Sequence, residues 1–450
     1  MPVEVLALIL LLACGEFDEE PLSFIMARLA FGRVCALWND VVCRDARFWS
    51  SVFIGDPRTL AVLPLWLSRS KSSQLHLFVD TGTYAVNWRS FDTVFASLVQ
   101  LVPSILGRIT RFSLWDDYGD RGAVILHWLS RLAASNVQRL DIYAMIPTVA
   151  DARVVERGRG RWGRSGDLSK PSTPLHLIPS ASIVSLVVQR AFLVLHPSML
   201  SGLRHLRLGP IPSHHRLKWD SLRSMLLSCP VLALFVCDDV RCDYGSFQEC
   251  ELLSVTHFRL VCRSYSSENI FTALRLPSLR VLSLDGYTPR LSYGAMTSAL
   301  ASVEVLAITC DLIWPCTLFH FLHAFVQLRT LDLRQMPEAS RLAFFSIKQF
   351  MESYLEIKNL GRPKDTQPEI LCPSLALVHF GATLTASEAA QLLSPTPPAI
   401  FSPNCVLSYV SSMVLTAADV DHVGGSFRVV EGGTGDHRLC FASRVVFRVW

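Results

Sequence analysis

Three short stretches of the chain carry residue types that could bind phosphate or a metal ion. Gly432 to Asp436 reads Gly-Gly-Thr-Gly-Asp, but it lacks the Lys-Ser/Thr ending and the following helix of a phosphate loop. The His214-His215 pair has no further ligand type near it at a metal-site spacing. Three cysteines come closest to a zinc spacing but lack a paired partner: Cys237, Cys242 and Cys250. We therefore expect no enzyme activity, no metal and no cofactor.

A fourth stretch, from Arg157 to Arg164, alternates Arg with Gly around a single aromatic residue, Trp162. Such a segment can bind RNA. Its composition, with charge and glycine but few apolar residues, indicates that residues 151–175 form a solvated, mobile loop. Nucleic-acid binding is the weaker of these two interpretations.

The elements that must position any site follow a repeated apolar pattern between residues 231 and 333. The pattern apolar-x-x-apolar-x-apolar begins at Val231, Val255, Leu279, Val303 and Leu328, at separations of 24, 24, 24 and 25 residues. A fixed period in the twenties indicates a stacked array of repeats. The last two apolar positions of each match are two apart and lie on one face of a strand. We expect neighbouring parallel strands in sequential order, because connections of this length favour parallel pairing.

Composition agrees with such an array. The chain has 450 residues, 50% of them apolar, and a mean hydropathy of +0.34. The longest apolar run, Val5 to Cys14, is about half the length that a bilayer requires. The net charge of +4 is too small to argue for nucleic acid by itself. The 13 cysteines show no paired spacing, which is typical of free thiols in a reducing compartment, so we expect a cytoplasmic or nuclear protein without a membrane segment.

The first 54 residues predict three short amphipathic helices near residues 3–14, 21–38 and 40–47. The helices share a small core and are marginal alone, so a partner is expected. Part of their apolar set should remain exposed in the isolated chain. Two alternatives stay open for this end. Val5 to Cys14 could be the apolar core of a signal peptide, although Glu4 stands where a basic residue is usual. The helices could also be the plain cap that a repeat array requires.

The same segment resembles an F-box. The resemblance rests on Pro2, Glu4, Val5, Leu6 and Ile9 at the start, on Val34-Cys35 with Trp38 as a V-C-x-x-W element, and on Phe48 to Ser51 at the end. The following Leu65 to Ser70 is similar to a W-L-x-R-S segment of fungal F-box proteins. The motif begins at Met1, with Met where Leu is usual. The resemblance implies docking on a Skp-type adaptor, and through it on a cullin, by Pro2, Val5, Leu6, Ile9, Leu10, Val34, Cys35, Trp38 and Trp49.

The strand repeats resemble leucine-rich repeats in their leucine spacing. They lack the Asn or Cys that this family places three residues after the last strand position, where this chain has Asp239, Arg263, Tyr287, Asp311 and Met336. The fold class that we expect is α/β, with a three-helix F-box-like domain and a solenoid with a parallel sheet. The expected domains are 1–54 (F-box-like), 55–71 (linker helix), 72–382 (array, with the mobile loop 151–175) and 383–450 (irregular cap, ending in a hairpin). An ordinary α/β domain with evenly spaced strands is the alternative.

The function that these resemblances imply is a substrate-recognition adaptor of a Skp-cullin-F-box ubiquitin ligase. The alternative is a repeat scaffold without a ligase role. Strand positions between the inward apolar residues should face a target protein. As a group they are basic, so an acidic or phosphorylated target is expected. The predicted target-binding residues are Arg111, Trp115, Arg139, Tyr143, Arg207, Phe235, Arg259 and Arg334.

Overall fold

A computed structural model of the chain shows two compact units, Met1–His215 and Arg216–Trp450. The residues that the structure describes are 2–14, 21–55, 57–80, 105–116, 136–144, 175–177, 183–189, 193–195, 200–210, 217–240, 242–243, 248–262, 273–286, 300–309, 325–333, 374–380, 406–411, 427–432 and 443–449, with the single positions 96, 99, 100, 270 and 322. Arg334, residues 151–174 of the predicted loop and the glycine-rich turn after Gly432 lie outside them.

The first unit begins with the three expected helices, whose bounds differ from the expectation. They are α1 (Val3–Ala13), α2 (Pro21–Phe31) and α3 (Ala36–Arg44), and a 3-10 helix follows at Ala46–Trp49. The second helix ends at Phe31 instead of residue 38, so Val34 and Cys35 lie in a turn and Trp38 belongs to α3. Helix α4 (Pro57–Arg69) lies within residues 55–71, the segment that was predicted to be a linker helix.

The main sheet of the first unit is parallel throughout its described strands. It runs in the order β1 (Ser51–Ile54), β2 (Leu75–Asp80), β3 (Ile109–Asp116), β4 (Arg139–Ala144), β6 (Ser185–Gln189) and β8 (His205–Gly209). A separate pair joins β5 (Leu175–Leu177) and β7 (Leu193–Leu195). The sheet therefore starts at Ser51, inside the segment that was assigned to the helical domain.

The second unit repeats the same architecture. Its two-stranded pairs are β9 (Leu217–Lys218) with β11 (Cys242–Asp243), and β12 (Cys250–Glu251) with β14 (Leu274–Arg275). Helix α5 (Trp219–Leu227) lies between β9 and the first strand of the main sheet. That sheet runs through β10 (Leu234–Asp238), β13 (His257–Cys262), β15 (Val281–Gly286), β16 (Val305–Thr309), β17 (Thr330–Leu333), β18 (Leu377–Phe380) and β19 (Val406–Ser411), all parallel.

The predicted order of parallel neighbours from residue 231 to 333 is thus confirmed. Beyond β19 the pairing becomes antiparallel, through β21 (Ser443–Val449) and then β20 (Phe427–Gly432). Strands β20 and β21 therefore form the antiparallel pair that was expected near the end of the chain.

The inward side of each strand supplies one layer of the core. In the second unit the buried triplets are Val255-Phe258-Leu260, Leu279-Leu282-Leu284, Val303-Leu306-Ile308 and Leu328-Leu331-Leu333. The first triplet is Leu232-Phe235-Cys237 and not the predicted Val231-Leu234-Val236, because Phe235 pairs with Phe258 and is fully buried. The separations are therefore 23, 24, 24 and 25 residues. A shift of one residue exchanges the two faces of a strand, so Phe235 is a core residue and is withdrawn from the target surface.

A repeated pair of backbone bonds joins many of the strands to their predecessors just before the ladder begins. The N–H groups of Arg280 and Val281 both donate to the carbonyl oxygen of Thr256, at 2.9 and 3.0 Å, and those of Glu304 and Val305 donate to the carbonyl of Arg280. This shared acceptor satisfies two backbone donors at each entry to the sheet. It recurs at β6, β8, β13, β17 and β18, so these strands enter the sheet in the same way.

Side chains add a second set of bonds between neighbouring rungs. A serine one residue before the first buried position donates to a backbone carbonyl of the preceding rung, as Ser254 does to Leu232 at 2.9 Å and Ser302 does to Leu279 at 2.9 Å. Ser374, one residue before the buried Leu375, donates to the carbonyl oxygen of Val326 at 3.1 Å, two residues before the first buried position Leu328. Asn136 donates to Gly107 at 2.7 Å in the first unit. These bonds tie neighbouring backbones together at the entry side of the strands.

Candidate interaction surfaces

Helix α1 is apolar on two opposite sides. Leu6, Ala7 and Leu10 are buried, and the helix packs against α3. The other side carries Val5, Leu8, Ile9 and Leu12 at helical i, i+3, i+4 and i+7 positions, between 45% and 73% exposed. A helix that is apolar all round is normally buried. The outward side of α1 therefore has the character of a binding surface.

The turn between α2 and α3 adds further exposed apolar side chains. Val34 and Leu37 are 59% and 53% exposed, and Met26 on α2 is 64% exposed. Cys35 is also exposed, whereas Trp38 is half-buried and packs edge-to-face on Phe31 at 5.8 Å between ring centroids. Of the residues predicted to bind a Skp-type adaptor, the structure thus leaves Pro2, Val5, Ile9, Val34, Cys35 and part of Trp38 on the surface.

Three residues of that predicted set are internal. Leu6 and Leu10 are 3% and 1% exposed, and Trp49 is 3% exposed. The indole Nε1 of Trp49 donates to the carbonyl oxygen of Val42 at 2.6 Å. These side chains hold the helices together in this chain, so they support the surface from behind and do not offer contacts to a partner.

Arg28, which the sequence pattern did not single out, is the centre of this helical core. It is fully buried, and its Nη1 donates to the carbonyl of Phe48 at 2.7 Å. Its guanidinium lies 4.3 Å from the ring centroid of Trp49 and 5.0 Å from that of Trp66. Such cation–π contacts are strongest where water is excluded. Burial, together with the nearby Arg69, lowers the pKa of Arg28 to about 10, so it stays charged near neutral pH.

The outward side of β3 and β4 holds a buried carboxylate, Asp141. Arg111 reaches its Oδ2 with both Nε and Nη2, at 2.8 and 2.5 Å, and Arg139 reaches its Oδ1 with Nε at 3.0 Å. The Oγ of Ser113 donates to Oδ2 at 3.2 Å. Two of the predicted target-binding arginines are therefore held in ion pairs within the chain. One net positive charge remains for the three ionised groups.

His76 completes this network and shows why it is not a catalytic triad. Its Nε2 lies 2.8 Å from the Oγ of Ser113. Because Ser113 gives its proton to Asp141, a carboxylate that only accepts, the histidine must donate to the serine. Burial and the two arginines lower the pKa of His76 to about 2, so the ring is neutral. A nucleophilic serine would need the opposite arrangement, with the histidine accepting its proton.

An aromatic row crosses the same face. Phe53 stacks on Phe78 at 5.4 Å, Phe78 meets Trp115 at 5.3 Å, and Trp115 meets Tyr143 at 5.6 Å between ring centroids. Phe53 and Phe78 are 5% and 1% exposed. The predicted residues Trp115 and Tyr143 are thus brought together, but half-buried at one end of a packed row and not on an open face.

The predicted face of the second unit is also less basic than expected. The guanidinium of Arg259 pairs with the carboxylate of Asp285 through Nε at 2.6 Å. This pair has the same offset as Arg111 with Asp141, since Asp285 is in register with Val261, two residues after Arg259. Apart from Asp285, the outward positions next to it are small, with Ser283 on β15 in register with Ala307 on β16.

Within the described residues, no group of three or more His, Cys, Asp and Glu side chains could hold a metal ion. Burial raises the pKa of the Cys229 thiol to about 12 and that of Cys250 to about 11. No helix found in the described ranges combines the length and the hydropathy needed to cross a bilayer.

The described residues define a mixed α/β protein with few helices and, in each unit, a parallel sheet of stacked strands. No family model matches the chain, and no curated protein matches it either. Among solved structures, a protein from Bacteroides fragilis is similar at a TM-score of 0.33 and 10% identity, over 69% of this chain and 83% of that one. A similarity at this level carries no argument about fold or function.

Proposed function

We propose that this chain is a protein-interaction adaptor that docks through α1–α3 on a Skp-type subunit of a cullin-based ubiquitin ligase and holds a target protein on its stacked strands. The observation that carries the proposal is the outward side of α1, where four large apolar side chains are exposed. The chain would perform no chemistry itself. Holding a target beside the transferase raises the effective concentration of the target there, and the chain would act in the cytoplasm or nucleus.

The helical segment supports this proposal by its arrangement as well as its composition. The V-C-x-x-W element places Val34 and Cys35 in the turn before α3, next to the exposed Leu37. A group of exposed apolar side chains on a short helical bundle is typical of a protein partner site. The partner that we infer is therefore an apolar surface that covers α1 and the α2–α3 turn.

The sheet supports the second half of the proposal. Buried triplets recur every 23 to 25 residues, and shared backbone acceptors recur with them. We infer that the strands form a leucine-rich-repeat-like array of the fungal F-box type, whose serine bonds replace the usual Asn ladder. Arrays of this kind offer an extended outward face to a target.

One observation favours the second candidate, a repeat scaffold whose helices serve only as a cap. Strand β1 pairs with β2, and Lys71 donates from Nζ to the carbonyl of Arg44 at 3.0 Å, so the helices are joined directly to the first strands. A terminal cap requires such attachment. It does not require an exposed apolar side on α1.

The test replaces exposed residues of α1 only. Leu6 is left unchanged because it is buried in the helical core, and its replacement would unfold the helices. The full chain with Ile9→Asp and Leu12→Asp should lose capture of a purified Skp-type adaptor by at least about tenfold, since two charges would be buried in an apolar contact. Capture is measured by co-purification and by titration calorimetry. Thermal unfolding of the variant should match that of the original chain.

The matched control is Val62→Asp with Leu65→Asp on α4, where the two side chains are 39% and 46% exposed. This pair should leave capture unchanged. Equal capture by the α1 variant, or no capture by the unaltered chain, would reject the ligase role and favour the cap.

A further inference from the structure

A short polar turn joins α4 to β2 in the first unit. It begins at Ser70, the last residue of the W-L-x-R-S segment, and ends at Ser73. The N–H of Ser73 donates to the carbonyl oxygen of Ser70 at 2.9 Å and closes the turn. Lys71 takes the left-handed conformation there, with a φ of +50°. The turn is thus a defined structure at the point where the helical segment passes into the sheet.

Arg108, which precedes β3, lies against both ends of this turn. Its Nε donates to the carbonyl oxygen of Ser73 at 3.1 Å, and its Nη2 donates to the hydroxyl of Ser70 at 2.6 Å. Both acceptors are neutral, so these bonds hold the guanidinium in place without cancelling its charge. Burial lowers the pKa of Arg108, and no carboxylate offsets that effect. A guanidinium has five N–H donors, so the remaining donors of Arg108 can serve a further acceptor.

Two more cations adjoin the turn. Lys71 is exposed, and its Nζ donates to the carbonyl oxygen of Arg44 at 3.0 Å. Arg69 is half-buried, and its guanidinium lies 4.4 Å from the ring centroid of Trp49. Neither of these contacts supplies a full negative charge. We call the three cations Arg69, Lys71 and Arg108 the α4–β2 corner.

The carboxylates of the adjoining helix α3 and of the residue after it do not balance these charges. Asp40 pairs with Arg44, and Asp45 pairs with Arg47. The bond to Arg47 is the main cause that lowers the pKa of Asp45, and the charge of Lys71 adds a smaller effect. No ion pair among the described residues includes a cation of the corner. The corner therefore has a surplus of positive charge.

We propose that the α4–β2 corner binds a phosphate dianion, either free or as the terminal group of a small phosphomonoester. A phosphate group carries a charge of about −1.5 to −2 at neutral pH and three acceptor oxygens, so it suits several cations better than a single carboxylate does. Arg108 binds two of the oxygens with the free side of its planar fork. Lys71 reaches the group with its flexible side chain. The exposed Ser72, in the middle of the turn, donates from its hydroxyl.

The test is titration of the full chain with sodium phosphate and with glycerol 3-phosphate, at an ionic strength kept constant with sodium chloride. Calorimetry should show binding, and the unfolding temperature should rise, because the ligand binds only the folded chain. Lys71→Gln with Arg108→Gln should weaken binding at least about tenfold, since both cations are lost. Ser72→Ala keeps all three cations and should weaken binding about two- to tenfold, which tests the site without altering the bonds of Arg108.

The matched control is Arg33→Gln with Arg204→Gln, which removes the same amount of charge from exposed positions outside the corner. Arg204 precedes β8, four strands away from β2 in the sheet. Affinity for both ligands should stay within about twofold of the original chain. Far-ultraviolet circular dichroism should show that all variants remain folded.

Comparison of the two ligands identifies the source of the phosphate group. Tighter binding of glycerol 3-phosphate marks an ester as the ligand, and equal or tighter binding of inorganic phosphate marks the free ion. Both results support the corner as the site.

Four results would overturn the proposal. They are no binding of either ligand at low ionic strength, equal loss in the control, an effect of acetate equal to that of phosphate, and tighter binding of a single-stranded oligonucleotide than of either ligand. None of these depends on α1 or on capture of a Skp-type adaptor. Failure here and failure of the α1 experiment are therefore distinguishable.

Discussion

Asp141 and His76 show how a buried polar network can join three neighbouring strands without a catalytic arrangement. The carboxylate is completely buried, yet it accepts from two arginines and one serine. An unpaired buried charge would cost roughly several kcal/mol, and these donors together offset that cost. His76 joins as a neutral donor, and the network holds β2, β3 and β4 in register through side chains as well as backbone.

The neutral state of His76 predicts a pH dependence of stability. In the unfolded chain this histidine has an ordinary pKa of 6.5, whereas in the folded chain the pKa is about 2. Between these two pKa values the unfolded state binds more protons than the folded state, so the free energy of unfolding rises with pH. The stability that the neutral histidine contributes is present above pH 6.5 and decreases as the pH falls below that value. By pH 5 the loss from this group is at most about 2 kcal/mol.

Urea unfolding at pH 7 and pH 5 measures this effect. His76→Gln, which keeps a donor for Ser113, should show a smaller difference between the two pH values than the original chain. The control is His205→Gln, at an exposed position. If His76→Gln leaves the difference unchanged, the histidine is not held neutral in the fold.

Serine bonds stabilise the turn before three of the strands, β13, β16 and β18. Ser254 and Ser302 stand at equivalent positions, 48 residues apart, and each bonds to the preceding rung at 2.9 Å. Because the acceptors are backbone carbonyls at the entry to the sheet, loss of the hydroxyl leaves each carbonyl without this donor. The expected cost of one such loss is about 1 kcal/mol.

Ser254→Ala and Ser302→Ala should each lower the free energy of unfolding by about 0.5–1.5 kcal/mol, and the double variant should lower it by about the sum, since the sites are in separate contacts. Denaturant midpoints followed by tryptophan fluorescence provide the measurement. Ser221→Ala, on the exposed side of α5, is the control and should change stability by less than about 0.5 kcal/mol. Equal effects at all three positions would show that the hydroxyl bonds do not stabilise the repeats.

Gly286 marks a place where the same stacking leaves no room for a side chain. It ends β15 with a φ of +87°, and a Cβ there would lie 2.1 Å from the carbonyl oxygen of Cys262 on β13. Both the left-handed backbone and the close approach require glycine at this position. The rung spacing is thus maintained at the end of the strand by the absence of a side chain.

The first unit is built so that its helices and its sheet depend on each other. Strand β1 follows directly after the 3-10 helix and pairs with β2. Arg28 bonds to the 3-10 helix and contacts Trp66 of α4. Arg108, just before β3, donates to the hydroxyl of Ser70 at the end of α4 at 2.6 Å. A partner docked on α1 would therefore be held in a fixed position relative to the first strands.

Removal of the N-terminal segment should consequently damage the sheet. A chain of residues 60–450 lacks β1, so the edge of β2 becomes unpaired and Phe78 loses its stack on Phe53. An exposed edge strand promotes association with other chains. Size-exclusion chromatography should show this truncated chain as aggregates, whereas the full chain with Ile9→Asp and Leu12→Asp should elute as the original does. A monodisperse truncated chain with an unchanged urea midpoint would mean that the helices are dispensable for the sheet.

The sequence alone was sufficient for the parallel order of the strands in the second unit and for the existence of three N-terminal helices. The strand order is a repeated signal, because each layer buries apolar residues at the same spacing. The helices are a local signal, because their apolar spacing lies within a short stretch of sequence. It was insufficient for the register of β10, where Leu232, Phe235 and Cys237 compete with Val231, Leu234 and Val236. Both sets fit the pattern, and only packing of Phe235 against Phe258 at 5.4 Å chooses between them.

The tertiary structure alone decided which polar residues are surface and which are internal. Arg111 meets Asp141 and Arg259 meets Asp285 across 30 and 26 residues of sequence, so a local pattern shows only a basic face. In the sequence, Arg28 is an ordinary charged residue of α2. In the structure, its guanidinium lies against the rings of Trp49 and Trp66. Helical spacing made both sides of α1 apolar, and only its packing on α3 determined that Leu6 is buried and Ile9 exposed. Residues distant in sequence determine whether each of these side chains is buried or exposed, because burial depends on what the fold places opposite the side chain.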